Sequence, residues 1–157
     1  MESAKDKVYL SNTYALYYSF CATKDDDDAV VIKVEVDEES MFPDEDFLGQ
    51  ADKDFDDLFK ATAFYRDCLD IVFNPEQIRH LAKESLKHLG NVCVPQVTKE
   101  QILSYTIIPS DEIPRLVVEG CDPSVTMLHH KILGFRYQQQ LAELENEFET
   151  VVLGAQA

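Results

Sequence analysis

The chain has 157 residues, of which 45% are hydrophobic, and its 30 acidic and 14 basic residues give a formal net charge of −16. This apolar content is sufficient for a buried core of ordinary domain size, which excludes a disordered acidic tail. The charge opposes direct binding to nucleic acid or to an anionic membrane, and no run of about 18 apolar residues predicts a membrane span.

The cysteine pattern and the N-terminal residues indicate the cellular compartment in which the protein is expected. The four cysteines are far apart in sequence and form no CxxC pair, a pattern typical of buried thiols in a reducing compartment. Residues 1–7 lack the apolar stretch of a secretory signal. We therefore expect a cytoplasmic protein.

The N-terminal segment predicts two strands separated by a helix. Val8-Tyr9-Leu10 is typical of a short strand, and Ser11 or Asn12 can cap a helix that continues to about Ala22. A charged turn follows. Residues 29–36 (AVVIKVEV) are rich in β-branched side chains and predict the clearest strand of the chain.

The central segment predicts an acidic loop and two helices. Residues 37–51 are expected to form the loop, and a helix is expected from about Asp52 to Val72, where apolar residues recur at helical spacing. Asn74-Pro75 is an N-cap followed by proline at the first helical position, and Gly90 is expected to end that helix.

The C-terminal part predicts two strands and a long helix. Residues 102–108 and, with a weaker pattern, 115–119 are expected to be strands. Asp122-Pro123 starts a helix whose apolar stripe includes Leu141, Leu144 and Phe148, and the tail after about residue 152 should fray. The interleaved elements predict one α/β (α+β) domain over residues 1–157, a small mixed sheet flanked by about four helices.

The acidic residues are concentrated in one part of the chain. Between Lys24 and Asp57 there are 15 acidic residues and three lysines, a local net charge of −12. One interpretation is a solvated, solubilising face; the other is a patch that binds a basic protein surface, as a mimic of nucleic acid. The second interpretation predicts acidic residues around apolar anchors, and the candidate partner-binding residues are Phe42, Asp44, Glu45, Asp46, Phe47, Asp54, Asp56 and Asp57.

No complete catalytic or metal site is found in the sequence. Phosphate-binding glycine loops and a GxSxG nucleophile motif are absent. His80, Glu84 and His88 fall on one face of a predicted helix, but a solvated polar stripe is the favoured interpretation. We therefore predict no metal ligands and no catalytic residues.

Four segments resemble bacterial and phage ADP-ribosyltransferase-like domains. They are Val8-Tyr9-Leu10-Ser11-Asn12-Thr13-Tyr14-Ala15 with the tyrosines after it, the predicted strand from Val30 to Val36, Pro43-Asp44-Glu45-Asp46-Phe47, and Tyr105-Thr106-Ile107-Ile108-Pro109 through Ile113. The resemblance implies that family's scaffold and NAD as cofactor, with Tyr9, Ser11 and Tyr14 near the nucleotide pocket. The family's first strand carries a His-Gly-Thr/Ser motif, and this chain has no His-Gly pair. The resemblance therefore implies an N-terminally incomplete scaffold.

Two functions follow from these observations, and a third, a structural or assembly protein that oligomerises through the C-terminal helix, stays open. The favoured one is a non-enzymatic acidic protein that binds a basic, nucleic-acid-handling protein, such as a phage or mobile-element inhibitor of host defence. It needs no cofactor. The alternative is an NAD-dependent ADP-ribosyltransferase-like enzyme or a truncated remnant of one. The missing dinucleotide-binding motif favours the first.

Overall fold

The structure is a computed structural model that describes residues 6–12, 15–16, 19, 23, 26–116 and 138–153. The chain divides into two compact units, Met1–Ser11 with Val36–Val97 and Asn12–Glu35 with Thr98–Ala157. The mixed α/β composition agrees with the sequence, and the prediction of a single domain stays a prediction.

The elements alternate between strands and helices along the chain. In order they are β1 (Val8–Ser11), β2 (Ala29–Val34), a 3₁₀ turn (Glu38–Ser40), β3 (Phe42–Pro43), α1 (Glu45–Ala51), α2 (Leu58–Val72), α3 (Pro75–His88), β4 (Asn91–Val94), a second 3₁₀ turn (Lys99–Gln101), β5 (Ile102–Ile108), α4 (Ile113–Leu116), α5 (helical over residues 138–147) and β6 (Thr150–Val152).

The first unit contains a three-stranded antiparallel sheet in the order β1-β4-β3. In the sheet register Val8 is opposite Val94, and Phe42 is opposite Cys93. All four residues of β4 are buried, as expected for a central strand. This short strand directly after Gly90 was not predicted from the sequence.

Three helices complete the first unit. The N-terminus of α3 has the predicted cap: Asn74 and Gln77 form a reciprocal capping box, and Pro75 follows. Gly90 adopts φ 77°, the left-handed conformation that glycine tolerates best after a helix. The residues that pack between the helices and the sheet are Leu48, Leu69 and Ile78, with Phe42, Phe47, Tyr65, Phe73 and Leu81 around them.

The second unit contains the antiparallel sheet β2-β5-β6. Ala29 lies opposite Ile108, and Thr106 lies between Val31 and Thr150. The core on this sheet consists of Leu16, Ala29, Ile108, Leu116 and Leu144, and Val31, Ile113, Leu141 and Phe148 pack against it. The predicted inward positions Leu141, Leu144 and Phe148 of the last helix are thus confirmed.

Several predictions about elements are wrong. The predicted single mixed sheet is replaced, within the described residues, by two antiparallel sheets. The predicted loop at 37–51 contains β3 and α1, since tertiary packing overrides its acidic composition. Residues 52–57 precede α2 instead of opening it. Arg115 and Leu116 belong to α4, not to a strand, and the rest of that predicted strand and residues 122–137 of the last helix lie outside the described residues.

The segment after Phe148 contains a strand that was not predicted, whereas the expected fraying after about residue 152 falls mostly on residues outside the described ranges. β6 pairs with β5 up to Val152, opposite Ser104, and Leu153 donates its backbone N–H to the carbonyl of Leu103. Pairing with a central strand, which the sequence does not reveal, therefore orders this segment. Of the predicted first helix, Ala15, Leu16 and Ser19 are helical, and its other residues are largely outside the described ranges.

Candidate protein-interaction surface

Two of the predicted partner-binding acids are buried. Asp44 and Glu45 each expose 5% of their surface. Asp44 caps α1 by accepting a hydrogen bond from the backbone N–H of Asp46 (2.8 Å). Its own N–H donates to Ser85 Oγ (3.1 Å), which in turn donates to the carbonyl of Asn91 (2.7 Å). Asp44 therefore joins α1, α3 and β4, and it is not presented to a partner.

Glu45 is held in the same interior. One carboxylate oxygen accepts a hydrogen bond from the hydroxyl of Tyr9, and the other is buried with no hydrogen-bond partner among the described residues. The acidic composition of this segment predicts a charged surface. The sequence does not show which of these side chains point to the interior where the helix begins. A buried carboxyl group without full hydrogen bonding destabilises a fold.

The ionisation of this cluster follows from its burial. Burial raises the pKa of Asp44 to about 6, and the negative charges of Asp46 and Glu45 add to that effect. Burial, followed by the charge of Glu45, also raises the pKa of Asp46. Cys93 lies in the neighbouring strand, and burial raises the pKa of its thiol to about 12, so it is protonated at neutral pH.

The two predicted aromatic anchors are engaged within the first unit. Phe42 is half-buried in β3, and the ammonium of Lys7 lies 5.7 Å from its ring centroid. Phe47 stacks on His88 with centroids 6.2 Å apart. Both rings pack against the cluster of Leu48, Leu69 and Ile78. They support the fold and do not extend into solvent.

The predicted acids before α2 are closer to the surface. Asp54 and Asp56 are exposed. Asp57 caps α2 by accepting from the N–H of Phe59 (3.0 Å), and Lys60 Nζ lies 3.9 Å from its carboxylate. The neighbouring Asp52 accepts a hydrogen bond from the hydroxyl of Tyr65 (2.5 Å), which lowers the pKa of Asp52.

The exposed face of α2 carries large apolar side chains. Phe59 exposes 80% of its surface and Ile71 84%. At 100° per residue, Phe59, Asp70, Asp67 and Ile71 lie within an arc of about 120°, and twelve residues separate the two apolar ends by about 18 Å. We call the following set the α2 surface: Asp54, Asp56, Phe59, Asp67, Asp70 and Ile71.

Charge on the α2 surface is partly balanced. Asp67 lies 3.6 Å from the guanidinium of Arg66, whereas Asp54, Asp56 and Asp70 are exposed acids. Phe59 is one of the apolar residues that recur at helical spacing, but the buried side of α2 is formed by Ala61 and Leu69. An amphipathic pattern indicates that a segment is helical. It does not show whether an apolar residue faces the core of the protein or a partner, because both surroundings favour apolar side chains.

Of the residues that the family resemblance implies near a nucleotide, Tyr9 and Ser11 are described, and both hydroxyls are hydrogen-bonded within the first unit. The Tyr9 hydroxyl donates to Glu45, and Ser11 Oγ donates to the carbonyl of Gly90 (3.2 Å). Tyr14 lies outside the described residues. The ADP-ribosyltransferase-like scaffold stays a prediction.

The polar stripe on α3 is a local pair. His88 Nε2 lies 3.1 Å from a carboxylate oxygen of Glu84, and Lys87 is near the same carboxylate. Among the described residues, no three His, Cys, Asp or Glu side chains are grouped so that they could hold a metal ion. Of the thiols, Cys68 is half-buried and Cys93 buried, while Cys21 and Cys121 fall outside the described ranges.

Comparison of the chain with models of protein families, with curated proteins and with solved structures found no match. In the part of the chain that the structure describes, no helix is long and apolar enough to cross a membrane.

Proposed function

We propose that this chain is a non-enzymatic acidic interaction protein that binds a basic protein through the α2 surface. The observation that carries the proposal is that Phe59 and Ile71 are exposed, as are the acids Asp54, Asp56 and Asp70 near them in the sequence. Large apolar side chains exposed at both ends of a helix lose contact with water when a partner covers them.

The arrangement fits the energetics of protein interfaces. Central aromatic and aliphatic side chains contribute most of the affinity, and a charged rim speeds association and selects partners of opposite charge. Here the apolar ends are about 18 Å apart along α2, with carboxylates between and beside them. A complementary partner presents Lys or Arg toward the acids and apolar pockets toward Phe59 and Ile71.

The chemistry of the partner follows from the charge of the chain. A net charge of −16 on 157 residues attracts surfaces that normally hold nucleic acid. We include in the proposal that the partner handles nucleic acid and that the chain, as a phage or mobile-element product, inhibits a host defence function. Bound nucleic acid and this chain then compete for the same basic surface.

The test compares two charge-matched variants with the wild type. Asp54→Lys with Asp56→Lys changes the α2 surface, and Asp27→Lys with Glu35→Lys changes exposed acids of the second unit. Each pair moves the net charge from −16 to −12. Proteins retained from a host lysate at low salt are identified, and association of the purified partner is then measured with each variant.

We expect a basic, nucleic-acid-handling protein to bind the wild type and the control pair. The α2 pair should associate about tenfold more slowly at low salt, with the difference shrinking as salt rises. Duplex DNA should release the partner from the chain, because both bind the same basic surface of the partner. Equal slowing by both pairs would mean that only total charge matters, and no retained basic protein would refute the proposed function.

A further inference from the structure

Among the described strands of the second unit, β2 is the longer of the two edge strands. It has six residues, whereas β6 at the opposite edge has three. Short length, proline, lysine and bulges commonly protect a sheet edge from pairing with another chain. β2 has no proline, its Lys33 pairs with Glu145 (3.2 Å), and a bulge follows only after Lys33. The preceding part of the strand therefore has none of these protective features.

The hydrogen bonds of β5 show which of its residues bond to which neighbour. In an antiparallel sheet, successive residues direct their N–H and C=O groups alternately to one side and to the other. Leu103 accepts from Leu153, and Ile107 donates to the carbonyl of Glu149. These two residues of β5 thus face β6, and the residues between and after them face β2. The opposite pairs that bond β5 to β2 are Ser104 with Lys33, Thr106 with Val31, and Ile108 with Ala29.

Val30 and Ile32 alternate with those paired residues, so their backbone groups point away from β5. A hydrogen bond from Ser19 agrees with this direction, since its hydroxyl donates to the carbonyl of Val30 (3.4 Å). Within the described residues, the backbone of Ile32 has no partner on this side. The side chains of Val30 and Ile32 are 47% and 55% exposed. We call these two residues, with the backbone groups that they direct outward, the β2 edge.

Exposed acids lie at both ends of the β2 edge. Asp26 and Asp27 precede the strand, and Glu35 follows it. Asp28 is also exposed and accepts a hydrogen bond from the backbone N–H of Ser110 (3.0 Å). The seven residue steps from Asp28 to Glu35 span about 23 Å in an extended strand. The β2 edge is therefore an apolar hydrogen-bonding strip with negative charge at each end.

We propose that the β2 edge binds an extended, basic segment of a partner protein, which joins the sheet as an additional strand. In such binding, backbone hydrogen bonds provide affinity and alternate side chains provide specificity. The segment that fits has apolar residues at alternate positions, beside Val30 and Ile32. It also has Lys or Arg at both ends, about 23 Å apart, where they meet the acids. Because both ends of β2 are acidic, charge permits either strand direction.

A second copy of this chain fits the β2 edge less well. Two-fold pairing of β2 with itself is antiparallel, and pairing centred on Val31 places Val30 of one copy opposite Ile32 of the other. The same register places Asp27 of each copy opposite Glu35 of the other. Like charges opposite one another destabilise a sheet, so the acids that attract a basic segment also oppose self-pairing.

The experiment compares two peptides on the unmodified full chain. The probe is acetyl-KKTVTVTVKK-amide, whose central segment has the length of β2. The control, acetyl-KKTVPPTVKK-amide, has the same charge, but its prolines lack the N–H groups that a strand ladder needs. Binding of each labelled peptide is measured by fluorescence anisotropy. Hydrogen exchange of the backbone amides is followed by NMR with and without the probe.

Matched variants locate the contact. Ile32→Lys places a positive charge on the β2 edge, and Ile71→Lys makes the same change at an exposed isoleucine of the first unit. The charge pairs described above serve again: Asp27→Lys with Glu35→Lys changes the ends of β2, and Asp54→Lys with Asp56→Lys changes the α2 surface. The inference does not rest on the proposed function, which concerns the other unit.

The probe should bind and slow the exchange of the Val30 and Ile32 amides, and the proline peptide should bind about tenfold more weakly or not at all. Ile32→Lys and the charge pair at the ends of β2 should each weaken probe binding about tenfold. Ile71→Lys and the α2 charge pair should bind the probe nearly as the wild type does, because they leave the second unit unchanged.

Three results would overturn the proposal. The first is the absence of probe binding. The second is equal binding of the two peptides, or binding without slower exchange at Ile32, because charge alone would then account for the contact. The third is slower exchange at Val30 and Ile32 when the chain alone is concentrated, which would make a second copy the occupant. Loss of basic-partner binding in the α2 charge pair alone concerns the proposed function and leaves this inference unaffected.

Discussion

Replacing Asp44 by Asn should change how stability depends on pH. In the folded chain burial raises the pKa of Asp44 from 3.8 to about 6, so folding disfavours the ionised carboxylate. The unfolded chain ionises near 3.8. The free energy of unfolding is therefore highest below pH 3.8, where Asp44 is protonated in both states. It falls as the pH rises from 3.8 to about 6 and is lowered by a constant amount above that.

The magnitude follows from the difference between the two pKa values. About 2 units at 1.36 kcal/mol each correspond to a loss of roughly 3 kcal/mol in the free energy of unfolding. Asparagine is uncharged, has nearly the same shape, and is as good an N-cap as aspartate, so it can still accept from the N–H of Asp46. The stability of Asp44→Asn relative to wild type should therefore increase by about 3 kcal/mol between pH 3.5 and pH 7.

The measurement is urea unfolding followed by circular dichroism at several pH values between 3.5 and 7.5. Asp54→Asn, at an exposed acid of the same unit, is the matched control and should show little of this pH dependence. A stability difference between Asp44→Asn and wild type that does not vary with pH would refute the reasoning. A difference that falls as pH rises would show that the carboxylate is stabilised inside the fold.

Two further predictions concern stability and ligand binding. Leu144→Ala should lower the free energy of unfolding by about 2–5 kcal/mol because Leu144 is buried against the second sheet. Phe59→Ala, at a side chain that is 80% exposed, should change it by less than about 0.5 kcal/mol, and equal effects of the two substitutions would contradict the assigned burial. NAD at millimolar concentration should leave the melting temperature unchanged because the hydroxyls of Tyr9 and Ser11 bond within the first unit; a saturable rise would instead support the ADP-ribosyltransferase-like alternative.

Local signals in the sequence predicted much of the secondary structure. The β-branched run at Ala29–Val34, the strand at Ile102–Ile108 and the Asn74-Pro75 start of α3 are encoded by neighbouring residues, and the structure confirms them. β4 and β6 were missed because four-residue and three-residue strands carry almost no periodicity and depend on partners distant in sequence.

The site was harder to predict than the fold. Sequence alone places Asp44, Glu45 and Asp46 in one acidic run, but α1 begins there and turns the first two carboxylates into the interior. Phe42 and Phe47 were predicted as anchors and are packed in the first unit, whereas Phe59, which was not predicted as an anchor, is exposed. Burial is a tertiary property, and apolar spacing along one helix does not determine which of its faces has a neighbour.

The interleaved path of the chain through its two units has a consequence for biosynthesis. The first unit needs residues before Ser11 and after Val36, and the second begins at Asn12 and resumes at Thr98. During translation β1 must wait for Val94, and β2 for Ile108, before either sheet can close. A nascent chain therefore carries β2 unpaired while the residues between Val34 and Ile102 are synthesised. Its many aspartates and glutamates repel other nascent chains during that interval and act, before any partner is met, as protection against aggregation.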